Sequence, residues 1–275
     1  MSQARAIYAI SDLHLERKPN WEAFEKLEAQ PDDWLLLAGD ICDSAQLFER
    51  AIETLRSRWK KLVWVPGNHE LWTTSSDPSD ARGEAKYRLL VDICRRAGVY
   101  TPEDDYPVWD GPGPRVRIAP LFLLYDYSFG PHGLTPDQVK AWAADHGVIC
   151  TDEYLLHPDP YLSREAWCEA RCRDAEWRLE AAARDGLPLI LVNHFPLRAD
   201  LAHVPLAPRF VAWCGTRRTE NWHLRFRAEV VVTGHLHIRS TAWRDAVRFE
   251  EVSLGYPRHW NGQRGMAPYL RAIWP

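Results

Sequence analysis

Five short apolar segments of this sequence each end in a cluster of side chains that can ligate metal ions. Short apolar runs bounded by turn residues are typical of buried β-strands. Ligands bind at the carboxyl ends of strands in open α/β sheets, so the five clusters are predicted to converge at one edge. In chain order the clusters are Ser11-Asp12-Leu13-His14, Gly39-Asp40-Ile41-Cys42-Asp43, Pro66-Gly67-Asn68-His69-Glu70, Asn193-His194 and Gly234-His235-Leu236-His237.

The order of apolar and amphipathic segments predicts an α/β protein with a sheet sandwiched by helices. The first part of the chain alternates between predicted strands at 5–10, 34–38 and 62–65 and predicted helices at 21–29, 44–59 and 84–97. Asn20 and Ser44 are the expected N-caps of the first two helices. Further strands are predicted at 116–124, 189–192, 230–233, 240–243, 247–254 and 269–273, and further helices at 135–145 and 163–185. Pro120 predicts an edge position or a bulge for the strand at 116–124.

Length, charge and cysteine content exclude several classes of protein. We predict a single domain over residues 1–275, because the clusters span most of the chain. The net charge of −4 offers no basic field for nucleic acid or acidic lipid. The longest apolar runs, 34–38 and 119–125, are too short to span a membrane. Six scattered cysteines without a CxxC pair favour a reduced, cytoplasmic protein, and the oligomeric state is left open.

The residue types in the clusters indicate a metal centre. Aspartate oxygens and neutral imidazoles suit Mn²⁺, Fe and Zn²⁺. In Asp12-Leu13-His14 the alternation of an extended chain is expected to send both polar side chains the same way. Two carboxylates, four histidines and one asparagine amide are too many for one tetrahedral zinc, but they match a two-metal centre. Each cluster alone is compatible with a simple turn or surface pair; their combination, each after an apolar strand, is not.

In these five clusters the chain resembles the calcineurin-like metallophosphoesterases. The resemblance implies a four-layer fold, a β-sandwich flanked by helices, with a dinuclear site along one edge. It implies a first ion held by Asp12, His14, Asp40 and His237, and a second held by Asp40, Asn68, His194 and His235, with Asp40 bridging. The implied ions are Mn or Fe, with Zn as an alternative. One departure is Ser44, which follows Asp43 where many members have Arg.

A narrower resemblance extends over the whole chain. The segments 121–129, 150–153, 156–161, 213–216 and 253–257 are similar to those of phosphopantetheinyl hydrolases of the actinobacterial type. Those enzymes remove 4′-phosphopantetheine from acyl carrier protein. The resemblance therefore implies a phosphodiesterase that converts a holo acyl carrier protein to its apo form.

The expected chemistry follows from the charges. The positive charge of two divalent ions would exceed the negative charge of Asp12, Asp40 and a bridging hydroxide, so the site would attract an anionic phosphate. The bridging hydroxide is the expected nucleophile. His69 is expected to stabilise the transition state or protonate the leaving alkoxide, with a purely structural hydrogen bond as the alternative. Glu70 and Asp43 are expected to orient ligands rather than bind metal.

Two other functions fit the same residues. One is a phosphodiesterase or phosphatase that acts on a cyclic nucleotide or another small phosphoester. The other is an inert scaffold that has kept the fold, although such proteins usually lose ligands and this chain keeps all seven together with His69.

Substrate recognition leaves weaker signals in the sequence. Segment 198–227 carries six Arg and two acidic residues, which suits either an acidic carrier protein or a solvated loop surface. Several aromatic residues in or near predicted loops are candidates for a substrate groove, although Trp is usually buried. These are Trp72, Tyr125, Trp213, Trp222 and Trp260.

Overall fold

The strands of the computed structural model, which describes residues 5–75, 77 and 79–275, form two mixed sheets. The strands are β1 Ile7–Ile10, β2 Gln30–Leu37, β3 Trp59–Trp64, β4 Arg117–Pro120, β5 Leu189–Val192, β6 Ala228–Thr233, β7 Ser240–Arg244, β8 Val247–Glu251 and β9 Arg271–Trp274. One sheet has the order β3-β2-β1-β9, and the other has the order β4-β5-β6-β8-β7. Only β9 and β7 run antiparallel to their neighbours, and both lie at edges.

Helices connect and cover the strands. The α-helices are α1 Lys18–Glu25, α2 Ala45–Arg56, α3 Asn68–Leu71, α4 Gly83–Arg96, α5 Pro136–Ala144, α6 Asp152–Leu155, α7 Arg164–Ala182 and α8 Trp222–Arg225. Short 3₁₀ segments lie at Ala183–Asp185, Ala199–Leu201, Pro208–Trp213, Arg217–Thr219, Gly262–Arg264 and Ala267–Tyr269. Among the described residues no helix is long and apolar enough to cross a membrane. All six cysteines are free and buried.

Two apolar layers follow from the alternation of side chains along each strand. In β5, Ile190 and Val192 belong to an apolar cluster shared by strands of both sheets. Leu189 and Leu191, which point the other way, belong to the cluster that contains the helices. The molecule therefore has four layers, with the two sheets packed face to face between helices, and the predicted α/β sandwich flanked by helices is confirmed.

The two sheets meet beyond the end of β1. Ser11 forms a parallel bridge with Ser253, and the amide of Leu254 donates to the carbonyl of Ser11 at 2.9 Å. This contact brings the carboxyl ends of strands from both sheets to one edge of the sandwich, where the polar clusters lie.

Two of the predicted boundaries that differ from the structure are decided by contacts with distant parts of the chain. Asn20 is not the cap of the first helix, because α1 begins at Lys18 and Asn20 is buried within it. Its amide instead donates to the carbonyls of Leu13 and Gly255, at 2.7 and 3.0 Å. Trp59 does not end the second helix but begins β3. The predicted Ser44 cap is confirmed, since its hydroxyl accepts from the amide of Leu47.

Candidate metal centre

The predicted ligands converge through turns rather than through strand alternation. Five of them follow strand ends with positive φ: Asp12 (54°), His14 (43°), Asp40 (55°), His235 (74°) and His237 (55°). The left-handed region is unfavourable for residues with a side chain, and such strain concentrates at functional sites. The expectation that extended-chain alternation aims Asp12 and His14 together is therefore wrong in its cause, although the two side chains do converge.

The first group of side chains contains Asp12, His14 and His237. The Nε2 of His237 lies 3.0 Å from Oδ1 of Asp12 and 3.1 Å from Nε2 of His14. The Nε2 of His14 lies 3.9 Å from the same aspartate oxygen. Asp12 and His14 are fully buried, and one ligand atom of each of the three residues lies within 4.8 Å of the others.

The second group contains Asp40, Asn68, His194 and His235. The Nε2 of His194 lies 3.2 Å from Oδ1 of Asn68 and 3.5 Å from Oδ2 of Asp40. His235 offers a nitrogen to the same cluster as Asp40 and His194. The structure thus brings all seven predicted ligands into two neighbouring groups. The bridging role of Asp40 stays a prediction.

Close backbone approach holds Asp40 in place. At Gly39, where φ is +86°, a Cβ would lie 2.6 Å from Nδ1 of His194 and 2.7 Å from the amide nitrogen of Gly67. Only glycine accommodates both the conformation and the contact. The turn that follows β2 is therefore packed directly against the turn that follows β3.

Glu70 fastens these turns through backbone amides. One carboxylate oxygen accepts from the amides of Asp40 and Gly67 at 2.9 and 3.0 Å, and the other accepts from Ile41 at 2.7 Å. Burial raises the pKa of Glu70 to about 8, and the neighbouring charge of Asp40 adds to the effect. Glu70 therefore holds the turn that carries Asp40, and its role in orienting a metal ligand stays a prediction. Asp43, for which the same role was expected, has no hydrogen bond or ion pair with any described ligand.

Asp12 is held by hydroxyl groups and an amide. Its Oδ2 accepts from Ser11 at 2.6 Å, from Ser253 at 2.8 Å and from the amide of His235 at 3.0 Å. Burial opposes its ionisation, but the adjacent His237 lowers the pKa of Asp12 below its ordinary value. Oδ2 is thus occupied by three donors of the protein, and Oδ1, 3.0 Å from Nε2 of His237, is the oxygen that faces the other predicted ligands of this group.

A fully buried aspartate that the sequence did not reveal lies behind Asn68. Oδ1 of Asp152 accepts from the side-chain amide of Asn68 at 2.9 Å and from the indole of Trp72 at 2.6 Å. Because the amide nitrogen of Asn68 is occupied in this way, its oxygen is turned toward His194. The Trp72 ring in turn packs on the ring of His69, with centroids 3.6 Å apart. The one signal for Asp152 in the sequence is its place in segment 150–153.

His69 lies beside the second group. Its amide donates to Oδ1 of Asp40 at 2.9 Å, and its Nε2 lies 3.8 Å from Oδ2 of that residue. Burial lowers the pKa of the His69 imidazole, so the neutral form is favoured. Its Nδ1 is buried without a hydrogen-bond partner among the described residues.

Two side chains outside the predicted clusters cover the first group. The ring of Tyr256 stacks on His14, with centroids 4.3 Å apart. The Nδ1 of His259 lies 3.2 Å from Nδ1 of His237. Both belong to the loop after β8, and neither has a strand-end signal in the sequence.

The donor atoms fit two divalent metal ions. Nδ1 of His194 lies 2.9 Å from the carbonyl of Ala38, and its Nε2 faces the oxygen of Asn68. The contact between this nitrogen and that oxygen takes either the proton of an imidazolium or a metal ion in its place. Burial disfavours a charged His194, yet Asp40 and Asp12 raise the pKa of this imidazole to about 10, so the carboxylates draw positive charge to this position. The buried Nε2 of His235 has no hydrogen-bond partner in the described structure, as expected of a ligand atom.

Several arginines of segment 198–227 form ion pairs with acidic residues of other segments, and a role of this segment in docking an acidic carrier protein stays a prediction. Arg225 pairs with Glu176 and Glu180 of α7, and Arg218 pairs with Asp126 and Glu169. Acidic residues from other parts of the chain therefore neutralise much of the local charge. The ion pairs of this segment connect it to other loops and to α7.

Comparison with known proteins agrees with the geometry of the site. The profile of the calcineurin-like phosphoesterase family matches residues 6–239. The chain is 46% identical over 272 residues to the acyl-carrier-protein phosphodiesterase PptH of Mycobacterium tuberculosis, and the match covers 98% of this chain and 83% of that protein.

Two solved structures extend the comparison. The crystal structure of phosphopantetheinyl hydrolase (PptH) from M. tuberculosis superimposes with a TM-score of 0.94 at 45% identity, over 100% of this chain and 98% of that one. The structure of TT1561 from Thermus thermophilus shares the fold, with a TM-score of 0.51 at 15% identity over 91% and 90% of the two chains. The family match, the close relative and the two clusters of ligands lead to one conclusion: this chain belongs to the calcineurin-like phosphoesterases.

Proposed function

We propose that this protein hydrolyses the phosphodiester that joins 4′-phosphopantetheine to a serine of holo acyl carrier protein. The products are apo carrier protein and free 4′-phosphopantetheine. The observation that carries the proposal is the match to PptH, which extends over nearly the whole chain at 46% identity. The grouping of all predicted ligands in the structure supports it, and an inert scaffold has no need of such a set.

We propose Asp12, His14, Asp40 and His237 as the ligands of one divalent ion, and Asp40, Asn68, His194 and His235 as those of a second. Oxygen and imidazole donors suit Mn or Fe, and they also accept Zn. Such ions, when bound, lower the pKa of water and stabilise negative charge on a phosphoryl group. The protein contributes the fixed orientation of each donor, through Glu70 behind Asp40 and through Asp152 behind Asn68.

His69 is our candidate for the group that assists the leaving serine oxygen. The neutral imidazole carries one N–H, and the ring borders the cavity that opens over the ligands. An N–H donated to the departing alkoxide stabilises the charge that develops as the P–O bond breaks. Trp72, packed on one face of the ring, fixes its plane.

Mass spectrometry of carrier protein tests this function directly. Purified enzyme loaded with Mn²⁺ is incubated with holo acyl carrier protein, and the intact mass of the carrier is followed with time. We expect loss of the phosphopantetheine mass, and His69→Ala is expected to slow it about 100-fold. A carrier that keeps its arm while a cyclic nucleotide is hydrolysed contradicts the proposal and favours a small-molecule phosphodiesterase. A chain that binds less than one metal ion after loading favours the scaffold.

A further inference from the structure

The cavity above the ligand clusters has one polar wall and one apolar wall. Its volume is about 440 Å³. The polar wall contains Asp40, Asn68, His69 and other residues of the proposed metal centre. The apolar wall, by which we mean Ile149, Val204, Pro205, Leu206, Phe210, Leu236 and Ile238, lies on the same cavity.

The apolar wall is unusually exposed for side chains of its type. Leu206 is 100% exposed, Ile149 is 61% exposed and Ile238 is 37% exposed. Single exposed apolar residues are common on protein surfaces, but several that border one cavity indicate a binding site. Removal of this surface from water by an apolar ligand is favourable, because burial of apolar area drives association.

The wall is anchored by the fold. Val204 and Phe210 pack against the buried cluster of Phe129, Ala202, Cys214 and Leu236. Arg209, between them, donates to the carbonyl of Trp142 and lies 2.9 Å from Nε2 of His146. The segment is therefore tied to α5 on one side and to the turn of the metal centre on the other.

The wall begins directly at the proposed ligands. Leu236 stands between His235 and His237, and the ring of Phe210 stacks on His235 with centroids 5.5 Å apart. A group bound here is thus within reach of a phosphorus atom held at the metal centre. A ligand of the wall can therefore be joined covalently to a phosphoester held at the proposed ligands.

We propose that the apolar wall binds the pantetheine arm of the substrate, an inference that rests on the proposed function. The arm carries two methyl groups on the carbon next to its phosphate-bearing CH₂, followed by a chain with two amides. Phe210 and Leu236, which adjoin His235, would contact the methyl groups, and the exposed Ile149 and Leu206 would contact the chain that follows. A folded carrier domain is too large to enter a space of about 440 Å³, whereas a single extended arm is not.

The experiment compares three substrates in wild-type and variant enzymes. The first is a short serine peptide that bears 4′-phosphopantetheine, the second is methyl 4-nitrophenyl phosphate, which has no arm, and the third is holo acyl carrier protein. Leu206→Ser, Ile149→Ser and the double variant remove apolar surface from the wall. Leu162→Ser is the matched control, because Leu162 is also fully exposed (101%) but does not border this cavity.

We expect the ratio of kcat/KM for the peptide to kcat/KM for the small diester to fall about fivefold in each single variant. The double variant is expected to lower it about 25-fold, with the change mainly in KM for the peptide. Leu162→Ser is expected to leave the ratio within twofold of the wild-type value.

Three other results overturn the inference in different ways. An unchanged ratio in the double variant shows that the wall does not bind the arm. A fall in activity on holo carrier protein with no change for the peptide assigns the wall to the carrier domain instead. If the wild-type enzyme cleaves the small diester but neither of the two substrates that carry pantetheine, the proposed function is wrong, and this inference is wrong with it.

Discussion

Asp152 provides the sharpest test of how the metal centre is held. Its Oδ1 accepts hydrogen bonds from the Asn68 amide at 2.9 Å and from the Trp72 indole at 2.6 Å, in a fully buried position. Asp152→Ala removes this acceptor. The amide of Asn68 is then free to rotate, and its oxygen loses the orientation that faces His194.

The expected magnitude follows from the two donors left without a partner. An unsatisfied buried donor costs about 1–3 kcal/mol, and because the indole of Trp72 is only partly buried the two donors together lose about 2–5 kcal/mol. Part of this is offset, because burial raises the pKa of Asp152 and so its carboxylate is itself unfavourable in the interior. We therefore expect the free energy of unfolding to fall by about 3 kcal/mol. We also expect the affinity for the ion held through Asn68 to fall about 10–100-fold.

Asp152→Asn separates the hydrogen bonds from the charge. The amide oxygen of asparagine can accept from both donors, and its nitrogen would replace Oδ2, which has no hydrogen-bond partner among the described residues. We expect this variant to lie within about 1 kcal/mol of the wild type and to bind both ions. Asp137→Ala, at an aspartate that is 92% exposed on α5, controls for the loss of a carboxylate elsewhere.

Urea unfolding and calorimetric titration with Mn²⁺ measure the two effects. Two equivalents of Mn²⁺ bound by Asp152→Ala with wild-type affinity would refute the positioning of Asn68 by this residue. If Asp152→Asn loses as much stability and Mn²⁺ affinity as Asp152→Ala, the site requires the negative charge of Asp152 rather than its hydrogen bonds.

Three further predictions concern other parts of the structure. Asp40→Asn weakens the ligand proposed to be shared, so hydrolysis is expected to be lost while the circular dichroism spectrum stays native; near-normal turnover contradicts the two-ion assignment. Gly39→Ala forces a Cβ to within 2.6 Å of His194 and is expected to lower the urea midpoint by the equivalent of about 2 kcal/mol or more. Burial opposes ionisation of Glu103, but Arg171 and Tyr87 lower its pKa to about 2. The ionised Glu103 therefore stabilises the folded state by about 2 kcal/mol, a value discounted for partial exposure. This contribution is present above about pH 4.5 and is lost as the pH falls toward 2. Glu103→Gln should therefore make the free energy of unfolding less dependent on pH in that window.

Local sequence patterns were sufficient for elements whose structure is decided locally. The strand predicted at 189–192 coincides with β5, and the helix predicted at 84–97 differs from α4 by one residue at each end. The helix prediction is wrong at Trp59 because the helical spacing of apolar residues in α2 continues to this position. Only its pairing with Gln30 of β2 makes it a strand residue, and that contact is invisible in a local window.

The convergence of the predicted ligands could be anticipated from the sequence, but the residues that hold those ligands in place could not. The predicted ligands directly follow apolar strands, and their carboxylate, amide and imidazole groups are ones that bind metal ions. Asp152 and Ser253 act on Asn68 and Asp12 from 84 and 241 positions away in the chain. Aspartate and serine are so common in loops that no local pattern marks them as partners of a metal ligand. Their roles arise only when the two sheets pack together.

Each group of ligands draws on both sheets, and this links the site to the sandwich. Asp12 and His14 follow β1 of the first sheet, whereas His237 follows β6 of the second. In the other group, Asp40 follows β2, whereas His194 and His235 follow strands of the second sheet. Neither sheet alone carries a complete set, so an ion bound by either group joins the two sheets across their common edge. Because binding to the folded state alone adds to stability, metal ions should strengthen the packing of the sandwich as well as the chemistry at its rim.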